Sequence, residues 1–389
     1  MLRFSTAGES HGVALLATLS GIPAGLRIDQ AFLDRELWRR QQGYGRGGRM
    51  KIERDTAHIL AGVRHGKTIG SPIAIRLDNK DWKNWEEALP VGEGDPAKHR
   101  AVASPRPGHA DLAGALKYNF PEARYVLERA SARESAARVA VGAVAKLFLR
   151  EIGVEVLSHV VAVGAASTKN ADVPWSKVRA LYDRDEVLLN CTDYEAEQRM
   201  KKAVDEALKS GDSVGGVFEV VAHGVPPGLG TYANWDERLD GLLAQAVMSL
   251  QALKAVEIGN GVSAAASPGS AVHDEIGYDA ATRRFTRASN HAGGIEGGIS
   301  NGEDIRVRGY VKPISTLRQP LGSVNFATRA PVKAAYERSD VCVVPAAGFG
   351  AEAMVALTLA RCALEKFGGD SMMETLRNLR GYVEQLRTF

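Results

Sequence analysis

The chain has 389 residues, 45% hydrophobic and 24% charged, with a formal net charge of only +3. This is globular composition, enough for one large domain or two moderate ones, and it argues against a disordered chain or one built around nucleic acid or membrane. Its three cysteines, Cys191, Cys342 and Cys362, are widely spaced with no C-x-x-C pair, which argues against a disulfide framework or structural zinc and fits a reducing cytoplasm.

In chain order, "GESHG" at positions 8–12 comes first. It satisfies G-x-S-x-G, so Ser10 as a serine hydrolase nucleophile is one alternative. An elbow of that kind needs a strand, a sharp turn and then a helix, whereas the following "VALLATLSG" reads as a strand. A structural glycine turn is a second reading. A loop offering Ser10 and His11 as a proton-handling pair is the third and the preferred one. "GVALLATLSGIPAGLRIDQAFLDRELWRRQQ" predicts strand, turn and helix, with Asp29 as N-cap and Ile28 and Leu33 as a hydrophobic staple.

Next, "RRQQGYGRGGRMKIER" sets Arg39, Arg40, Arg46, Arg49 and Arg54 among glycines. Planar guanidinium forks suit carboxylate and phosphate, and several together hold a multiply charged anion. The competing readings are a solvated basic loop and a single RGG-like RNA-binding copy, the latter weakened by its place between a helix and the strand at "AHILAGV". Residues 79–111 lack periodicity, and so long a loop is usually functional or mobile; it carries Arg106 and His109. "RASARESAARVAVGAVAKLFLREIG" is a helix with a Ser131/Glu134 capping box, flanked by Arg129 and Arg133. Arg133 shares a stripe with Ala137, Ala140 and Val144, so it needs a partner or a bound anion.

Further helices are expected at 194–209, 236–253 and 351–366. "GGVFEVVAHGVPPGLGTYANWDERLDGLLAQAV" repeats the early strand, G-[IV]-P-x-G-L turn and helix, which suggests two related α/β halves facing each other across a site. "AAGFGAEAMVALTLARCAL" is interrupted by Glu352 and Arg361 and reads as a buried helix, not a membrane span. "YERSDVCVVPAAGFGAEAM" brings Arg338 and Asp340 to a strand end. No metal-ligand spacing, P-loop or Rossmann fingerprint occurs, so no metal is expected.

"GESHG", "RASARESAARVAVG" and "RSDVCVVPAAGFGAEAM", in this order, resemble the three signature segments of the chorismate synthase family. "GYGRGGRM", "RPGHAD", "NHAGGIEGG" and "KPIST" extend the resemblance over essentially the whole chain. Ser339 stands where one common variant of the third signature has His. The resemblance implies an α+β fold, a β-α-β sandwich of two similar halves, as a single domain over 1–389 that assembles as a homotetramer. It implies loss of phosphate from 5-enolpyruvylshikimate 3-phosphate by 1,4-anti elimination, with reduced FMN. Of the family's residues it carries over His11 as proton donor to the leaving phosphate, His109 toward the flavin, and Ser10 with Asp340 as a proton relay. Substrate binding falls to Arg40, Arg46, Arg49, Arg133 and Arg338. Arg40 and Arg46 also match positions sometimes labelled as an NADP site, and the substrate is preferred for them. FMN falls to Arg129, Ala130, Ser131, Gln251, Ala252, Gly297, Lys312, Pro313, Ile314, Ser315, Thr316 and Arg338. An external flavin reductase is expected, because no added domain is visible.

Overall fold

The computed structural model describes residues 1–47, 54–169, 172–337 and 339–389. Arg49 and Arg338, two of the expected anion ligands, lie outside the described residues. In the first half, β1 (Arg3–Ala7) and β2 (Ala14–Ser20) form a hairpin. Leu15, Ala17 and Leu19 point inward while Leu16 and Thr18 face out, the two-residue period of a half-covered strand. Helix α1 (Gln30–Gln41) is capped as expected, with Asp29 accepting the Phe32 N–H at 3.2 Å. β3 (His58–Ala61) and β4 (Ile73–Asp78) complete an antiparallel sheet in the order β1-β2-β4-β3. Helices α2 (Asp111–Tyr118), α3 (Arg124–Ala130) and α4 (Ser135–Glu151) follow.

The second half runs β5 (Glu155–Val163), short β6 (Ala166–Ser167), α5 (Trp175–Tyr182), α6 (Tyr194–Ser210), β7 (Gly216–His223), α7 (Leu239–Met248), β8 (Leu253–Ile258), β9 (Ile305–Val311), α8 (Val344–Phe367) and α9 (Met372–Thr388). Its sheet is also antiparallel, in the order β8-β9-β7-β5-β6. Setting the short β6 aside, each sheet places its four strands in the spatial order first, second, fourth, third. The fold is an α+β sandwich of two similar halves.

The filling is helical. α4 lies on β2 and β4, α8 lies on β5, β7 and β9, and the two helices pack on each other. Covered on both sides, α8 is apolar nearly all round. Among the described residues it is the one helix long and apolar enough to cross a membrane, but 78% of its apolar window is buried inside the protein, as in a core helix. Gly142 is where α4 meets α8, since a Cβ there would sit 2.3 Å from the Ala353 Cβ. Gly142→Val should therefore lower the urea midpoint at unchanged slope, at a cost of about 1–3 kcal/mol. A midpoint equal to wild type would mean that the helices separate freely at this point.

Some boundaries differ from the sequence expectation. The helix expected at 236–253 spans only Leu239–Met248, because the chain turns at Ala252 in a left-handed conformation (φ 67°) and Leu253 opens β8. α8 begins at Val344 instead of 351, with Pro345 in its first turn, where a missing N–H costs nothing. The capping box at Ser131 is only half made. Ser131 caps a short 3₁₀ turn, Ala132–Glu134, while its own N–H bonds the Leu127 carbonyl and closes α3. That leaves Glu134 free to bind Thr6, Arg138 and Gln251.

Candidate active site

Most of the described residues singled out from the sequence fall into three linked groups. The first is at the β1–β2 turn. Glu128 of α3 accepts the backbone N–H of His11 at 2.7 Å and meets its ring Nδ1 at 2.8 Å. The Ser10 N–H bonds the Glu128 carbonyl at 2.9 Å. The His11 ring stacks on Trp85 with centroids 4.0 Å apart, and the Trp85 indole N–H bonds Asp81. Burial alone would raise the Glu128 carboxyl, but the His11 bonds and the Arg124 charge hold it below the usual carboxylate value. Arg129 fastens the same turn, donating to the Thr6 and Gly8 carbonyls. Strand β2, not a helix, follows GESHG, so the geometry of a hydrolase elbow is missing and the serine hydrolase alternative has no support.

The second group is cationic. Arg133 donates to Asp55 Oδ2 at 2.7 Å and to Asn79 Oδ1 at 2.9 Å. Arg40 holds Ser135 Oγ and the Ala132 carbonyl, and its Nη1 lies 3.7 Å from the same Asp55 oxygen. Arg46 pairs with Asp340 at 2.8 Å, and the Gly47 N–H bonds Asp340 as well. Three guanidiniums thus share two carboxylates. Arg40 Nη1, Arg133 Nη2 and Asp55 Oδ1 are buried without a hydrogen-bond partner among the described residues. Burial pushes the Arg40 guanidinium down to about 9; Asp55 opposes the shift, and the Arg133 and Arg46 charges add to it. A guanidinium stays protonated in proteins, so this direction marks a corner short of negative charge.

The third group holds His109, whose Nδ1 lies 2.5 Å from Asp111 Oδ1. Arg106 clasps Asp111 and also bonds Thr316 Oγ1 at 2.9 Å. Burial would raise Asp111, but its bonds to His109 and Arg106 hold it far below the usual range. Lys312 donates to the Gly108 carbonyl and Ser315 Oγ, which fastens residues 312–316 to the His109 loop. The Ile314 carbonyl is held by Ser213. Pro313 sits between these anchors.

Glu337, Ser339 and Asp340 join the groups. Glu337 binds Arg124, the partner of Glu128; Ser339 bonds the Thr316 carbonyl; and Asp340 holds Arg46. A cleft of about 1030 Å³ opens beside the first group, walled by Gly8, Gly12, Trp82, Tyr125, Glu128 and Arg129 among others. Gln251 reaches this neighbourhood through Glu134, and Ala252 continues as the turn whose carbonyl binds the Lys312 N–H. Ala130 closes α3 beside Arg129. Gly297 stands apart, at the open turn of the hairpin Ile295–Ser300.

A profile of the chorismate synthase family matches residues 2–364. The chain belongs to the chorismate synthase family. It is 75% identical to the chorismate synthase of Koribacter versatilis and 70% identical to that of Acidobacterium capsulatum, over the full length of both chains in each case. A crystal structure of a chorismate synthase matches its fold with a TM-score of 0.79 at 42% identity, covering 100% of this chain and 99% of the other. Most of the chain segments that carry the family resemblance are the ones that wall the site: 8–12, 106–109, 129–133, 312–316 and 339–340. Sequence reasoning missed Asp55, Asn79, Trp85, Asp111, Arg124 and Glu128. Three of these had a signal: Asp111 ends the segment "RPGHAD" that carries part of the family resemblance, and Arg124 and Glu128 are opposite charges four residues apart on a helix.

Proposed function

We propose that this chorismate synthase family member removes phosphate from 5-enolpyruvylshikimate 3-phosphate to give chorismate, with reduced FMN as cofactor. Family membership makes it a carbon–oxygen lyase acting on phosphates. The observation that carries the substrate reading is the buried guanidinium corner of Arg40, Arg46 and Arg133, in which Arg40 Nη1 and Arg133 Nη2 have no hydrogen-bond partner among the described residues. The substrate brings two carboxylates and a phosphate, roughly four negative charges, to a place short of them. Arg40 and Arg133 are too deeply buried to favour a dinucleotide, so we assign them and Arg46 to the substrate in preference to NADP, with Arg49 and Arg338 added by family resemblance.

The residues fit a flavin mononucleotide. The cleft lies at the upper end of the usual range for ligand pockets, about 300–1,000 Å³. Burial and the neighbouring Lys254 charge push the Lys312 ammonium below its ordinary value, so an arriving anion would be welcome there. Arg129 at the cleft wall, Ala130, Ser131, Gln251, Ala252, Gly297 and the Lys312–Thr316 segment are assigned to hold it. When bound and reduced, the flavin supplies electron density that helps phosphate depart and recovers it at the end of the turnover. His11 gives a ring proton to the departing phosphate oxygen. His109, backed by Asp111, is assigned to protonate the flavin or neutralise its charge. Ser10 and Asp340, which pairs with Arg46, are assigned to proton removal.

Reducing equivalents come from a separate flavin reductase in this reading, since no Rossmann-type site occurs among the described residues. The reducing cytoplasm suits the three buried free thiols. A single domain with duplicated halves, assembled as a homotetramer, completes the proposal. The test is anaerobic: protein, enolpyruvylshikimate phosphate and chemically reduced FMN should release chorismate and phosphate in equal amounts, and oxidised FMN should support neither. Folded protein without turnover would refute the reading.

A further inference from the structure

The geometry points to Glu128 as the residue that positions His11 for reaction, by fixing which of its ring nitrogens carries a proton; the inference rests on the function proposed above. Glu128 is a positioning residue here, acting on the substrate only through His11. Its two oxygens have separate tasks. Oε2 accepts the His11 backbone N–H at 2.7 Å, while Oε1 faces the ring Nδ1 at 2.8 Å and Arg124 Nη1 at 3.4 Å. Arg124 is itself anchored to the Arg100 carbonyl and to Glu337. An ionised carboxylate can only accept, so Nδ1 keeps its proton whether the ring is neutral or cationic, and it is the imidazolium that gives a proton, from Nε2. Trp85, lying 4.0 Å away and within 27° of parallel, restrains rotation of the ring.

A second site, at the His109 loop, repeats the arrangement with different residues. His109 Nδ1 meets Asp111 Oδ1, and Arg106 clasps that carboxylate from the other side. Two histidines from unrelated stretches of chain are each fixed at Nδ1 by a buried carboxylate, which is in turn held by a buried arginine. A structural role for Glu128 would need only its bond to the backbone N–H. The bond to Nδ1 has no such purpose, and it sets the chemistry of the ring.

Glu128→Gln is the discriminating change. The carboxamide oxygen must go to the backbone N–H, which cannot turn away. The amide nitrogen, a donor, then faces Nδ1 and forces the ring to present a lone pair there. The neutral ring then carries its proton on Nε2, and the imidazolium, which needs a proton on both nitrogens, is disfavoured, so the form that gives up a proton is lost. Two readouts are taken on the full chain. Anaerobic kinetics should show kcat lower by about 10²-fold or more, with KM for enolpyruvylshikimate phosphate and affinity for FMN within about twofold. Nitrogen-15 spectra of histidine-labelled protein, with His11 assigned by its absence in His11→Gln, should show Nδ1 protonated in the wild type and bare in Glu128→Gln. Glu128→Asp keeps an acceptor-only group and should recover at least tenfold of the lost kcat. A bare Nδ1 in the wild type, or an unchanged tautomer in Glu128→Gln, would overturn the role, and the wild-type spectrum decides even if the variant does not fold. The spectra need no turnover. A wild type inert toward the substrate refutes the proposed function, whereas full turnover with an unchanged tautomer refutes only the role of Glu128.

Discussion

His11→Ala should cut turnover by about 10²- to 10⁴-fold, the usual worth of a positioned general acid, while flavin affinity stays close to that of the wild type. The leaving group is a phosphate, and a proton delivered to its oxygen lowers the charge that must be carried away. The substitution does not strand the surrounding groups. Glu128 keeps the residue-11 backbone N–H and Arg124, and Trp85 keeps Asp81 through its indole nitrogen together with the arginines over its ring. Stability should therefore fall little, and the loss should appear in the chemical step. Flavin titration and anaerobic single-turnover rates on the same preparation separate the two effects. An equal loss of flavin affinity would make His11 a structural ligand, and the proton donor would have to be sought elsewhere.

How much of this was legible in the sequence depended on whether the information was local. Asp29 as N-cap, the alternation along β2 and the α4 and α8 cores follow from residue type and spacing within a few positions. The expected partner of Arg133 was also legible as a need, because an arginine on an apolar stripe cannot stay unpaired. The identity of that partner was not. Asp55 and Asn79 come from two other segments, and only the folded sheet brings them to the start of α4. The same holds for Glu128 under His11, 117 residues away in the chain. Ser131 shows the converse error. Its capping-box pattern is real, but closing α3 uses the N–H that the box requires, and Glu134 is drawn into a tertiary contact instead.

Glu352→Ala should destabilise the protein by about 3–5 kcal/mol, the cost of leaving a buried charge without its partner. Glu352, at the centre of α8, receives a bidentate pair from Arg39 at 2.8 and 2.9 Å and both the N–H and hydroxyl of Ser158. Lys146 of α4 bonds both Glu352 and Glu36, and Arg39 also reaches Glu36. Two cations and two carboxylates, all inside the helix layer, make a neutral quartet that ties α1, α4, α8 and β5 together. Without Glu352, two cations would share one carboxylate in a place that water hardly enters. The pH dependence gives the sign of the same linkage. Burial would raise Glu36, but Lys146 and Arg39 bring it down to about 2. A carboxyl lower in the folded state than its unfolded value of about 4.3 contributes stability that is complete above that value and is lost as pH falls toward 2. Denaturant titrations of the wild type should show that acid slope, and Glu36→Gln should flatten it. Arg39 adjoins Arg40, so slackening α1 reaches the guanidinium corner, and Glu352→Ala should also weaken substrate binding. A variant within about 1 kcal/mol of wild type would show that water reaches the quartet, and the rigidity of α1 under Arg40 would then need another source.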